Sequence, residues 1–411
     1  MTQAVPSVRS AAFGIWVNVG SRHETDKQAG SAHYLEHLLF KGTTRRSALD
    51  ISSAIDAVGG ELNAFTSKEH TCFYSRVLDR DLPLAVDVIT DVVTAATLRT
   101  ADINSERTVV LEEIAMRDDD PGDVAHEELF TQMYGPGHPM GRSILGSRET
   151  IESITPAAIR SFYARNYVPG QLVVAAAGSL DHADVVRRVR TAFAGAEGVP
   201  PKHRAGKPGL PGIGTRTTLQ RATEQANIII GYPGLTFHDD RKWVLAVLNS
   251  ALGGGMSSRL FTEVRERRGL VYAVYSFVSS FSDSGMLGVY AGTSPARADA
   301  VLEVVADVTA AVAADGITDD ELHRAKGQVR GSTVLGLEDT FSRMSRIGRT
   351  ELTNRPLHSV ASVLDSIDAV TSADVQSLAQ ELLTAQPSTV MVGPKQPARR
   401  ASARATAARM R

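Results

Sequence analysis

One succession of strand and helix patterns is written twice in this chain, on either side of a proline-rich break. The break runs from Gly195 to Gly214 and holds Pro200, Pro201, Pro208 and Pro211. Proline at that density removes backbone donors and clashes with a preceding helical turn, so neither a helix nor a central strand passes through. The segment 195–214 reads as a linker between a domain at 1–194 and a second at 215–394. The first half reads as a strand at 11–19, helices at 33–40 and 47–58, strands at 61–66 and 71–77, then helices at 84–98 and 102–116. Ile51, Ala54, Ile55 and Val58 form an i, i+3, i+4, i+7 stripe, with Ser47 and Asp50 as a capping pair and Gly59 as a stop. The second half reads as a strand at 226–232, helices at 243–252 and 258–268, strands at 270–276 and 285–291, and a helix at 297–314. Thr318-Asp319-Asp320 reads as the cap of a further helix, as Thr100-Ala101-Asp102 does earlier. The pattern predicts an internal duplication: an α+β fold of two homologous domains, each an antiparallel or mixed sheet with helices on one face.

Composition narrows the function classes. Hydrophobic residues make up 43% of the 411 and charged residues 22%, as in a chain that buries a core. The one cysteine, Cys72, excludes an intrachain disulfide and a cysteine-based metal cluster. A net charge of −2 argues against nucleic acid as a partner. The tail 395–411 carries six basic residues and no acidic one, and reads as a disordered end on an acidic body. No apolar run reaches membrane-helix length, and no secretory pattern opens the chain. Cytoplasmic localisation, without membrane association, is the resulting expectation.

The segment that carries chemistry is His33-Tyr34-Leu35-Glu36-His37. On a helix, His33 and His37 stand one turn apart on one face and can hold a single zinc ion. Glu36 lies beside them, within reach of the attacking water's proton. Chance would place roughly 0.02 such patterns in a chain with this histidine content. A zinc hydrolase needs a third protein ligand. Glu106 and Glu113 are two turns apart and share a helix face with Val110, while Glu112 points elsewhere. Spacing alone does not choose between a ligand and a solvated surface for either.

His33-xx-Glu36-His37, with Glu106-Arg-Thr-Val-Val-Leu-Glu-Glu113-Ile downstream, resembles the pitrilysin/insulinase family of inverted zinc peptidases. The two-domain length is similar to the branch containing the mitochondrial processing peptidase β-subunit and bacterial zinc proteases. The resemblance implies zinc held by His33, His37 and Glu113, Glu36 as general base, and Glu106 supporting a histidine ligand. It implies that Asn63-Ala64-Phe65-Thr66 is the edge strand on which an extended peptide adds. It also implies that Arg265 and Tyr272 contact the substrate backbone, with the tyrosine hydroxyl near the developing oxyanion. Taken alone, Arg265 reads as a helix-surface charge and Tyr272 as a core strand residue. Gly253-Gly254-Gly255-Met256-Ser257-Ser258 resembles the family's glycine-rich loop.

The resemblance further implies a homodimer closing a chamber around short or unfolded peptides, with Arg265 and Tyr272 serving the partner's zinc. The alternative within the family is a non-catalytic core or scaffold subunit; a zinc hydrolase acting on a non-peptide is a third reading. One departure is expected. Family members carry a strand ahead of the segment matching 5–10, so either the true start lies upstream or the first sheet lacks an edge strand.

Overall fold

In the computed structural model the described residues are 1–135, 137–201, 210 and 213–394. The tail 395–411 and half of the linker, 202–209 and 211–212, lie outside them. The first half carries β1 (Thr2–Ala4), β2 (Ser10–Val17), α1 (Ser31–Leu39), α2 (Ala48–Asp56), β3 (Glu61–Thr66) and β4 (Thr71–Leu78). It continues with α3 (Leu82–Ala95), α4 (Thr100–Asp119), α5 (Pro121–Tyr134), α6 (Arg148–Ser153), α7 (Pro156–Asn166), β5 (Leu172–Gly178) and α8 (His182–Ala192). The second half carries β6 (Arg216–Gln220), β7 (Ala226–Pro233), α9 (Lys242–Gly253), β8 (Val271–Ser280), β9 (Gly285–Thr293) and α10 (Ala298–Asp315). It ends with α11 (Asp319–Gly336), α12 (Thr340–Leu352), α13 (Val360–Ala369), α14 (Ser372–Leu383) and β10 (Ser388–Gly393).

Two five-stranded sheets result, with orders β1-β5-β2-β4-β3 and β6-β10-β7-β9-β8. In each, the outermost pair is parallel (β1 with β5, β6 with β10) and the other pairs are antiparallel. The two topologies are the same, which is the predicted duplication in structural form.

Three local expectations are corrected. The first sheet does have its edge strand: β1 is only three residues long, and the terminal ammonium extends it by donating to Val174 O at 2.7 Å. Thr100 does not cap α4; it is the first helical residue, and Arg99 ahead of it makes no side-chain cap bond. Thr318 does cap α11, accepting from Glu321 N at 3.3 Å while Glu321 accepts from Thr318 N at 2.8 Å. The segment expected as an ordinary helix at 258–268 contains a π-helical stretch, Phe261–Glu266.

Each sheet packs its own helices against one face. The first core gathers Phe13, Ile15, Leu35, Ile51, Phe73 and Ile89; the second gathers Ile228, Leu248, Leu287, Val305 and Leu378. The opposite faces are closed by an exchange between the halves. Helix α12, from the second half, lies on β2 and β5, where Met344 and Ile347 pack with Trp16, Cys72 and Tyr74. Helix α5, from the first half, lies on β7 and β10, where Leu129 and Met133 pack with Ile229 and Val390. The approach is close enough that a side chain in place of either strand glycine would displace a methionine. A Cβ on Gly14 of β2 would stand 2.8 Å from Met344 Sδ, and one on Gly231 of β7 would stand 2.5 Å from Met133 Sδ. No helix among the described residues is long and apolar enough to cross a membrane.

Candidate metal centre

Helix α1 buries Tyr34, Leu35, Leu38 and Leu39, which turns His33, Glu36 and His37 onto its other stripe. Its start is fixed from outside the helix. Gly30 takes a left-handed φ of 93°, and the buried Glu24 carboxylate accepts from Gly30 N at 2.8 Å and Ala32 N at 2.7 Å. A carboxylate at that end satisfies free amides and meets the positive end of the helix dipole. Burial pushes the Glu24 carboxyl up to about 8, against the pull of those two amides and of Arg142 and Lys68.

Helix α4 crosses α1 and brings its carboxylates to the histidines. His33 Nε2 and His37 Nε2 each lie 3.5 Å from the same Glu113 oxygen. Ligand atoms of the three residues all fall within 4.8 Å of one another. Donors on a tetrahedral zinc ion stand about 3.3–3.5 Å apart, given bonds near 2.0–2.1 Å. Two imidazoles and a carboxylate suit zinc, and Glu113 Oε2 is buried without a hydrogen-bond donor. The residues therefore fit the ion. Burial, with the neighbouring His37, lowers His33 to about 4, keeping its imidazole neutral as a ligand must be.

Glu106 is buried beside the ring of His37. It meets His37 Nδ1 at 3.0 Å and forms an ion pair with Lys41. With Nδ1 donating to Glu106, the lone pair of His37 is left on Nε2, the atom facing Glu113. Glu36 accepts from Thr66 Oγ1 at 2.5 Å. Burial pushes its carboxyl above the usual range, Glu113 adds to this, and Thr66 and His37 oppose it.

The structure thus brings five of the residues singled out in the sequence into one cluster: His33, Glu36, His37, Glu106 and Glu113. Thr66 carries β3 to that cluster. Along this edge strand Asn63 is exposed, and Ala64 N donates to Asn63 Oδ1 at 2.8 Å, so one edge amide is already engaged. Phe65 points to the opposite face from Thr66, edge-on to Trp16 at 5.6 Å.

Arg265 and Tyr272 form a separate pair, the guanidinium lying 5.5 Å from the tyrosine ring centroid. Among the described residues neither hydrogen-bonds nor ion-pairs with the histidine cluster. Tyr272 is not the core residue its strand position suggests. The register of β8 against β9 shifts between Val271 and Ala273, and the extra residue, Tyr272, is 79% exposed. Arg265 sits on the π-helical stretch, a widened turn that recurs at functional sites. Gly253 of the glycine-rich loop packs against Ser276 of β8, where a Cβ would collide.

Three contributors escaped the sequence reading: Glu24, Lys41 and Thr66. Thr66 lies in a segment singled out for another reason, as an edge strand. Glu24 reaches α1 across an irregular stretch, and no periodicity marks such a contact.

With this geometry established, the relatives fall into line. The Insulinase (Peptidase family M16) model matches residues 1–148, and the Peptidase M16 inactive domain model matches residues 153–329. The chain belongs to the M16 family of zinc peptidase-like proteins. It is 52% identical over 402 residues to an uncharacterized zinc protease of Streptomyces coelicolor, covering 96% of this chain and 87% of that one. It is 39% identical to an uncharacterized zinc protease of Bacillus subtilis, covering 95% and 94%. Its fold is shared by a protease from Helicobacter pylori, with TM-score 0.89, 22% identity and coverage of 95% and 96%. A peptidase M16 inactive domain from Pseudomonas fluorescens gives TM-score 0.87 at 22% identity, covering 96% and 95%.

Proposed function

We propose that the protein is a zinc-dependent endopeptidase acting on short or unfolded peptides bound as extended strands. The observation that carries this is the convergence of His33, His37 and Glu113 on one point, with Glu36 held beside them by Thr66. Zinc held by those three residues acidifies water and polarises a carbonyl. Glu36, its proton affinity raised by burial, takes the proton of the attacking water and delivers it to the leaving amine. Lys41 and Glu106 fix the ring of His37. The free side of β3 offers backbone groups to the peptide, whose carbonyl takes the place of Asn63 Oδ1 as acceptor for Ala64 N.

Arg265 and Tyr272 stand ready to contact substrate from the second domain, the tyrosine hydroxyl donating to the developing oxyanion. That neither hydrogen-bonds nor ion-pairs with the cluster among the described residues suits a homodimer in which each pair serves the partner's centre. The test is metal analysis and peptide cleavage on purified protein. The wild type is expected to bind zinc and cleave; Glu36→Gln is expected to keep zinc and lose turnover. An active Glu36→Gln protein sinks the mechanism. Arg265→Ala is expected to lose activity but not metal, and mixing it with Glu36→Gln restores activity if the pair works across an exchangeable dimer.

A further inference from the structure

A cavity of about 590 Å³ opens on the outer side of β3, between the first sheet and helix α12. Phe65, Tyr74 and Phe341 form its aromatic wall, and Arg346, Arg349 and Arg355 face them. The wall is packed, with the Tyr74 and Phe341 rings 4.2 Å apart. No carboxylate lines the cavity among the described residues. Nor is any of the three guanidinium groups paired with one. Arg346 donates to His358 O, Arg355 donates to Thr353 Oγ1 at 2.8 Å and lies over the Phe237 ring, and Arg349 has no ion-pair partner among the described residues. Other arginines do carry carboxylate partners: Arg22 with Asp283 and Glu69, Arg45 and Arg46 with Asp87 and Asp91, Arg259 with Glu321.

Three cations gathered in one concavity without counter-charge are disfavoured unless an anion joins them. Burial lowers the pKa of all three guanidinium groups, and like charge from Arg343 and Arg349 lowers Arg346 and Arg355 further. The position of the cavity says what would carry that anion. Phe65 and Thr66 are consecutive on β3 and point to opposite faces, Thr66 to Glu36 and Phe65 into the cavity. A peptide paired along β3 alternates in the same way. When one of its residues lies toward Glu36, its neighbour overhangs the arginines.

We propose that this cavity is a subsite for a carboxylate carried by a peptide laid along β3. The proposal rests on the peptidase reading and adds a preference to it: an acidic side chain, or a C-terminal carboxylate, on the outer side of the bound strand. A planar guanidinium pairs with a carboxylate through two parallel bonds.

Equilibrium binding to the zinc-loaded Glu36→Gln protein tests this without turnover. Fluorescent peptides carry Glu, Gln or Phe at each position in turn; a second pair ends at the position of interest as free acid or amide. At one position Glu is expected to bind at least about tenfold more tightly than Gln, the worth of one charge-assisted bond. Adding Arg346→Gln and Arg349→Gln together is expected to bring that ratio close to one. Arg355→Gln alone, checked for folding by circular dichroism, is expected to narrow it. A gain with internal Glu assigns the site to side chains; a gain confined to the free acid assigns it to peptide ends. A Glu-to-Gln ratio near one everywhere, a preference for Phe over Glu, a ratio that survives the arginine changes, or no measurable peptide binding overturns the subsite. Cleavage of the same peptides by the wild type reports on the peptidase reading separately: selective binding without cleavage keeps the subsite and removes the reaction.

Discussion

The two halves share a sheet order and a helix succession, yet among the described residues only one carries a constellation that can hold a metal. In the first half α1 meets α4 through His33, His37, Glu106 and Glu113. In the second, α9 packs on α11 in the same relation, and α9 buries Leu245, Val247, Leu248, Ala251 and Leu252 instead. A helix pair can therefore be closed by apolar side chains as well as by ligands, and the centre is an addition to the fold rather than a condition of it. The edge strands differ in a matching way. β3 runs in regular register with β4, while β8 is bulged and turns Tyr272 outward. One half gathers two histidines and three glutamates, and the other exposes a tyrosine beside an arginine.

The largest test of that contrast is loss of the base. Glu36→Gln should lower kcat by roughly 10²–10⁴-fold, the range of a general base, with zinc content unchanged by metal analysis. His33→Ala should instead lose both, since it removes one of the three residues proposed to hold zinc. A His33→Ala protein that keeps stoichiometric zinc would mean that the ion lies elsewhere, and the contrast between the halves would fail.

The exchanged helices give the next test. Met344 belongs to the second half but packs on the first sheet, and Met133 does the reverse. Each truncation to Ala should cost about 2–5 kcal/mol in denaturant unfolding. Hydrogen exchange should locate the damage crosswise: Met344→Ala loosening β2 and β5, Met133→Ala loosening β7 and β10. Damage confined to the half that contains the mutation would refute the exchange.

Much of this contrast was legible in sequence, and the reason is locality. The i, i+4 histidines, the Ser47–Asp50 capping box and the stop at Gly59, with its φ of 66°, depend on residues within a turn or two. The central strands at 11–19 and 226–232 announced themselves as apolar runs, because β2 and β7 are buried on both faces. What stayed hidden was long-range. Nothing in 121–134 or 340–352 says that these helices cross to the other sheet, because a buried stripe looks the same whichever sheet receives it. The β8 bulge was hidden too, so that Tyr272 read as core. Glu24 and Lys41 act through tertiary contacts that spacing does not encode, whereas Glu113 could be picked out only through family resemblance.

A smaller effect is expected at Lys41. It holds the second oxygen of Glu106, whose first oxygen meets His37 Nδ1. Lys41→Met should weaken zinc affinity by about 10–100-fold, the usual effect of removing an outer support. The change should be read by competition with a chelator, and Lys41→Arg should restore part of it. The second half offers the control. Arg259 pairs with Glu321 between the helices there, away from any ligand, so Arg259→Met should leave zinc affinity where it was. Equal losses from both variants would mean that general stability, not support of His37, sets the affinity.

The smallest effect concerns the layer between the first sheet and α12. His70 lies against Trp16 at 5.3 Å, and burial, reinforced by Arg349, lowers it to about 4. The unfolded chain takes up a proton near pH 6.5, whereas the folded chain resists until about pH 4. The stability this group confers is therefore complete above about pH 6.5 and is lost as the pH falls from there toward 4. For a side chain so placed the loss should be on the order of 1–2 kcal/mol, less than the full shift implies because solvent reaches the layer. His33 titrates in the same direction, so the quantity to measure is the difference between wild type and His70→Phe in urea unfolding across that range. The phenylalanine protein should lose less stability on acidification, and the difference should appear in exchange protection of β2 and β4 before that of β7 and β9. Parallel pH curves for the two proteins would show that acid sensitivity does not reside in this layer.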